Sequence, residues 1–200
     1  SSFVGMHPIP IVHGLSIGEL AWMINEEGWM EDGIRVELTV IPYKGKINNS
    51  VKNKAFNPSP SPNMPNLETA ILYSGLCLLE GTNLSEGRGT ATPFKLVGAP
   101  WLDAQQLLHR LERYRNPLDD FSISEFTPRA NSATRYPKYN NKKCLGISIV
   151  NLENPIEWTI NLLSIINNIH PEQFKFLESN FIDKLYGSDK LRIVINSNGE

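Results

Sequence analysis

The run Glu80-Gly81-Thr82-Asn83-Leu84-Ser85-Glu86-Gly87-Arg88-Gly89-Thr90 sets two carboxylates, an amide, a guanidinium and several hydroxyls on a backbone loosened by three glycines. Paired carboxylates are what hydrolysis of a glycosidic bond needs: one protonates the leaving oxygen, and the other serves as base, nucleophile or electrostatic stabiliser. Fully extended, the step from Glu80 to Glu86 spans roughly 20 Å. Gly81 and Gly87 permit a fold-back to the roughly 5 to 10 Å that such mechanisms use. The same residues also suit a plainer role, in which Glu80 fixes the loop by accepting backbone hydrogen bonds and Arg88 pairs with one glutamate. Arg88 can equally clamp a carboxylate or phosphate with its planar fork. Thr82 and Asn83 either read sugar hydroxyls or close local turns.

Three residues outside the run are candidates for substrate contact. His13 stands at a strand end just before a capped helix, Asn63 is held in the rigid Ser59-Pro60-Ser61-Pro62-Asn63-Met64-Pro65 stretch, and Trp101 follows Gly98-Ala99-Pro100, where its ring can support a sugar face. His7, His109 and His170 form no metal-ligand spacing with one another or with the cysteines, so no metal is expected. Neither G-x-x-x-x-G-K-[ST] nor a strand-bound G-x-G-x-x-G occurs, which disfavours nucleotide binding.

These side chains need a scaffold, and the sequence outlines one. Ser16 and Glu19 form a capping box for a helix over residues 17–27, with Leu20, Met23 and Ile24 at helical spacing. Residues 34–40 alternate apolar and polar, which predicts a strand. Residues 43–65 are rich in Asn, Lys, Pro and Ser and read as a long loop. Asn66 caps a short helix ending near Ser74-Gly75, and the apolar Leu76-Cys77-Leu78-Leu79 reads as a buried strand leading into Glu80. Further strands are expected over 94–97, 121–127 and 144–150. Asp103 caps a helix bearing Leu107, Leu108 and Leu111, and Pro155 starts one through Trp158, Leu162, Leu163 and Ile166. Residues 154–200 form a helical tail. About five strands and four or five helices give an α+β (mixed α/β) fold, with a mixed sheet flanked by helices. Trp22, Trp29 and Trp158 are assigned to the core.

Two hundred residues, 40% hydrophobic and 20% charged, suit a globular chain with a substantial core. A net charge of -2 and a pI near 6.1 leave no basic excess, so no nucleic-acid partner is expected. No apolar run approaches the roughly 18 to 20 residues that span a bilayer. Ser1 is not an initiator methionine, and the chain reads as a piece of a longer protein. Cys77 and Cys144, both in apolar surroundings, are expected as buried free thiols.

The ordered blocks resemble one family. His7-Pro8-Ile9-Pro10-Ile11-Val12-His13-Gly14 with Ile17-Gly18-Glu19-Leu20, Ser61-Pro62-Asn63-Met64-Pro65 with Leu67-Glu68-Thr69-Ala70, and the run from Cys77 to Thr90 are similar to segments of the NamZ-type exo-β-N-acetylmuramidases. Pro93-Phe94, Gly98-Ala99-Pro100-Trp101, Phe126-Thr127-Pro128 and residues 140–146 continue the likeness. The resemblance implies the C-terminal portion, residues 1–200, of a bacterial peptidoglycan glycosidase that releases N-acetylmuramic acid from non-reducing ends. It further implies muramyl sugars as ligands, no organic cofactor, a Rossmann-like N-terminal domain outside this chain that carries a catalytic glutamate, and a periplasmic or extracellular location. Within it, Glu80 and Glu86 are the catalytic candidates, and Arg88 attracts the lactyl carboxylate. Residues 44–57 depart from the family's aromatic pattern. The alternative reading is a non-catalytic glycan-binding or interaction module.

Overall fold

A computed structural model of the protein describes residues 7–10, 13–42 and 61–197. The chain divides into two compact units, residues 7–54 and residues 55–200 with the first six. Most of the loop expected over 43–65 lies outside the described residues. No helix among the described residues is long and apolar enough to cross a membrane.

In the smaller unit, helix α1 (Ile17–Glu26) begins at the anticipated capping box, with Glu19 N–H donating to Ser16 Oγ and Ser16 N–H to Glu19 Oε2. It ends at Gly28, whose φ of 65° lets Trp29 N–H reach Ile24 O and Gly28 N–H reach Asn25 O, satisfying carbonyls the helix leaves open. The strand expected over 34–40 does not form. Its alternation was real, but a strand needs a ladder, and no described strand pairs with it. Instead the Asn25 amide imitates one rung, donating to Val36 O at 3.1 Å and accepting from Val36 N–H at 2.8 Å. Trp22 is not core among the described residues: it is 57% exposed.

The larger unit is built on a three-stranded antiparallel sheet, β1 (Leu96–Ala99), β2 (Asp120–Phe126) and β3 (Cys144–Asn151), in the order β1-β3-β2. The α+β class holds, with the described sheet smaller and more uniform in direction than the five mixed strands expected. Helix α3 (Ala104–Leu111), capped by Asp103, packs Leu107 and Leu111 towards β2 and β3. Helix α4 (Pro155–Ile169), capped by Asn154, buries Trp158, Leu162, Leu163 and Ile166 against α3 and α2 (Leu67–Leu76). The tail closes with α5 (Phe181–Tyr186) and α6 (Lys190–Asn196), the latter pinned to α4 by Asn167 Nδ2 donating to Ile195 O at 2.7 Å.

The segment expected as a strand over 76–79 is helical. Helix α2 runs through Gly75 to Leu76 and tightens into a 3-10 turn, Cys77–Gly81. An apolar run of four cannot by itself distinguish a buried strand from a buried helix end. Gly75 is no helix stop; it is where α4 touches α2, since a Cβ there would lie 2.1 Å from Pro155 O. Gly81 plays the same part towards α5, with Ile182 Cα 2.6 Å from its hypothetical Cβ. Cys144 is buried, Cys77 half-buried, and both are free thiols.

Replacing an exposed helical glycine by alanine ordinarily stabilises by roughly 0.5–1 kcal/mol. Gly75→Ala is expected to do the reverse, costing about 1–3 kcal/mol because backbone must move. Urea unfolding of the two proteins checks this, and an unchanged or raised midpoint would refute the close contact.

Candidate active site

The loop after the 3-10 turn is fastened on every side. Ser85 and Gly98 exchange both backbone hydrogen bonds, at 2.8 and 3.1 Å, so the loop adds a rung beside β1. Phe94 N–H donates to Glu86 O at 2.7 Å, and Arg129 N–H to Gly89 O at 2.8 Å. Gly87 and Gly89 have φ of 78° and 81°, and a Cβ on Gly89 would stand 2.7 Å from Arg129 O. Positive φ together with that crowding requires glycine here. On the far side, Asn83 N–H donates to Lys175 O and Leu177 N–H to Gly81 O, laying the tail alongside residues 81–83.

This folding draws Glu80, Glu86 and Arg88 together. Arg88 Nη2 lies 3.0 Å from Glu80 Oε2, and Arg88 Nε lies 3.9 Å from Glu86 Oε1. One guanidinium thus neighbours both carboxylates, so the glycines at 81 and 87 do allow the fold-back that brings the two acids to a shared site. The Arg88 guanidinium also lies over the Phe94 ring, 5.0 Å from its centroid, and Phe94 meets Tyr73 edge-on at 4.7 Å. Phe94 is buried with φ of 58°, a left-handed conformation that costs a non-glycine residue of order 1 kcal/mol or more. The surrounding structure holds it there, with the ring beneath the arginine.

A fourth charged group was not foreseen. Lys138, from the loop between β2 and β3, places Nζ 2.9 Å from Glu86 Oε2 and donates to Leu79 O and Leu84 O, each at 2.9 Å. The approach to Glu86 is an ion pair angled away from hydrogen-bond geometry, which is why Oε2 has no formal hydrogen-bond partner. Glu86 is 3% exposed and lies between two cations. Glu80 is half-buried, has one cation beside it among the described residues, and keeps Oε1 buried without a hydrogen-bond partner.

The remaining candidates lie elsewhere or are committed. Thr82 Oγ1 donates to Leu79 O and accepts from Leu84 N–H, and the Asn83 amide joins Gln173 O and Lys175 N–H. Their geometry is turn closure and tail docking. Asn63 ties residues 61–64 to the β2–β3 loop through Ala133 O and the Thr134 hydroxyl. Trp101 donates from Nε1 to Tyr139 Oη at 3.0 Å and meets His170 edge-on. His13 belongs to the smaller unit, where Nδ1 accepts from Leu15 N–H.

Burial pushes the Tyr73 hydroxyl up to about 12 from 10.0, with the negative charge of Glu80 next in weight. Burial and then Glu80 likewise raise the Cys77 thiol to about 11 from 9.0. A raised pKa means the folded state favours the neutral phenol, so that contribution is intact below pH 10 and is lost as pH climbs through about 12. The fall in urea midpoint across this window should be smaller in Tyr73→Phe than in the parent protein. Equal falls would show that Tyr73 does not feel the site's charge.

Comparison with known proteins identifies the family. Residues 71–200 match the family described as "Exo-beta-N-acetylmuramidase NamZ, C-terminal", and residues 1–68 match its N-terminal counterpart. The chain is 37% identical over 204 aligned residues to a Bacillus subtilis (strain 168) protein named peptidoglycan beta-N-acetylmuramidase NamZ, covering 98% of this chain and 47% of that protein. Two crystal structures of DUF1343 family proteins from Bacteroides fragilis NCTC 9343 also align with all of this chain. One has TM-score 0.74, 33% identity and 52% of its own length covered; the other, which speaks to fold alone, has 0.80, 23% and 53%. The chain spans about half the length of these relatives. With both halves of the description matched along its length, the chain belongs to the NamZ exo-β-N-acetylmuramidase family.

Proposed function

We propose that this chain supplies one wall of a glycosidase cleft that releases N-acetylmuramic acid from the non-reducing end of peptidoglycan fragments. The observation that carries the proposal is the Glu80–Arg88–Glu86 cluster, in which Glu80 Oε1, Glu86 Oε2 and Arg88 Nε are each buried without a geometrically formed hydrogen bond. A buried acceptor without a hydrogen bond is costly, and an arriving ligand donor relieves that cost. The substrate class is taken from the name of the Bacillus subtilis relative.

The two glutamates divide the work unequally. Glu86, flanked by Lys138 and Arg88, serves as a fixed negative charge that orients the arginine. Glu80, more exposed than Glu86 and with Oε1 lacking a hydrogen bond, is the group placed to exchange a proton or hydrogen bond with the sugar. Arg88, with its side chain 30% exposed, receives the lactyl carboxylate, for which a planar guanidinium is well matched. The opposing wall, with a further carboxylate, comes from the Rossmann-like N-terminal domain implied by the family resemblance. The reaction then takes place where peptidoglycan lies, outside the cytoplasmic membrane. Asn63 and Trp101, each committed to a hydrogen bond within the larger unit, are left with supporting roles.

In the native protein acting on a chromogenic muramic-acid glycoside, Glu86→Gln and Arg88→Ala are each expected to lower kcat/KM by about 100-fold or more, the scale at which preorganised charge contributes. Arg88→Ala should act partly through KM, since it removes a substrate contact. Unchanged kcat/KM in both variants would sink the assignment.

A further inference from the structure

We propose that Lys138 is the positioning residue of this site, a cation built into the fold that spans the loop from Leu79 to Glu86 and sets the disposition of both glutamates. The inference rests on the reading of Glu80 and Glu86 given above. An ammonium offers three N–H donors and no acceptor. At Lys138 two of them go to Leu79 O and Leu84 O, and the third side of the nitrogen faces Glu86 Oε2, all at 2.9 Å. These three oxygens bracket the catalytic candidates: Leu79 directly precedes Glu80, and Leu84 stands two residues before Glu86.

The lysine is itself held from behind. Pro137 is buried, with its Cβ 2.9 Å from where a Cβ of Gly89 would stand. Tyr139 takes φ of 55° and its hydroxyl accepts from Trp101 Nε1. Asn141 N–H donates to Pro128 O, closing the base of the β2–β3 loop. The loop thus delivers one ammonium to a point where three oxygens of another loop converge. Without that charge Leu84 O loses the ammonium donor, Leu79 O keeps only Thr82, and Glu86 is left with Arg88 at the longer distance of 3.9 Å. Arg88 is then drawn towards Glu86 and away from Glu80, and both carboxylates turn. Lys138 touches no substrate in this account; it acts through Glu86 and through the carbonyl before Glu80.

The test is chemical rescue of Lys138→Ala in the native protein. Removing the side chain beyond Cβ leaves a hole shaped for propylammonium, lined by two carbonyl oxygens and a carboxylate. Propylammonium is expected to raise the melting temperature of the variant but not of the parent, and to restore at least about tenfold of a roughly 100-fold loss in kcat, the size expected when reacting groups are misplaced by about 1 Å. Neutral 1-propanol should do neither. Equal rescue by propanol would overturn the proposal, because it would make Lys138 a filler of space. The melting arm needs no turnover, so a parent protein inactive on muramyl glycosides would count against the proposed function while leaving this proposal to be decided by rescue. Should the alanine variant fail to fold, Lys138→Met keeps the chain length without the charge. A fall in its kcat with KM within threefold of the parent supports the positioning role, and an unchanged kcat overturns it.

Discussion

A glutamate with 3% of its surface exposed must have its charge answered inside the protein, and the larger unit is arranged around that demand at Glu86. Lone buried carboxylates are prohibitive in a medium of low dielectric, whereas pairing with cations and hydrogen-bond donors makes them tenable. The two cations come from separate stretches of chain: Arg88 from the same loop and Lys138 from the loop joining β2 to β3. Bringing them in fixes the sheet, because Lys138 reaches Glu86 only when β2 and β3 are paired and their connecting loop folds back over Gly89. Glu80 then inherits its position from Arg88. The resulting group sets two acidic side chains against two basic ones and leaves Glu80 Oε1, Glu86 Oε2 and Arg88 Nε without hydrogen bonds, as expected of a site that completes its contacts with a ligand.

Close backbone approach is the second ingredient. Gly75 lets α4 abut α2, Gly81 admits α5 beside the 3-10 turn, and Gly89 lies against Arg129. Each contact abuts the site loop or the helix that leads into it, so packing at a distance decides where Glu80 starts and where Arg88 points. Phe94, buried in a left-handed conformation, shows that some strain is retained so that an aromatic face lies under the guanidinium. A rigid frame of this kind suits a site that must hold charges in place before the substrate arrives.

Local chemistry made much of this legible in the sequence. Ser16 with Glu19, Asn66, Asp103 and Pro155 each mark a helix start because capping is decided within a few residues. Strands β2 and β3 were also expected close to where they form. What was hidden depends on distant partners. Gly75 looked like a helix stop because Pro155, the residue that explains it, is far along the chain. Residues 34–40 carried a strand's pattern without a described partner to make it one. Lys138 escaped notice because the two acceptors of its hydrogen bonds are backbone carbonyls, 59 and 54 residues away, which carry no side-chain signature. Glycines at 87 and 89 beside Arg88 were the readable part of the site; which cations hold each glutamate was not.

The central claim is that the cluster of Glu80, Glu86, Arg88 and Lys138 receives the muramyl sugar. A crystal structure of the native protein with N-acetylmuramic acid tests it most directly. The account predicts the lactyl carboxylate against the Arg88 guanidinium and a ligand donor within hydrogen-bond distance of Glu80 Oε1, with Lys138 still bound to Leu79 O and Leu84 O. A sugar bound away from Arg88, with Glu80 Oε1 still unbonded, would contradict it.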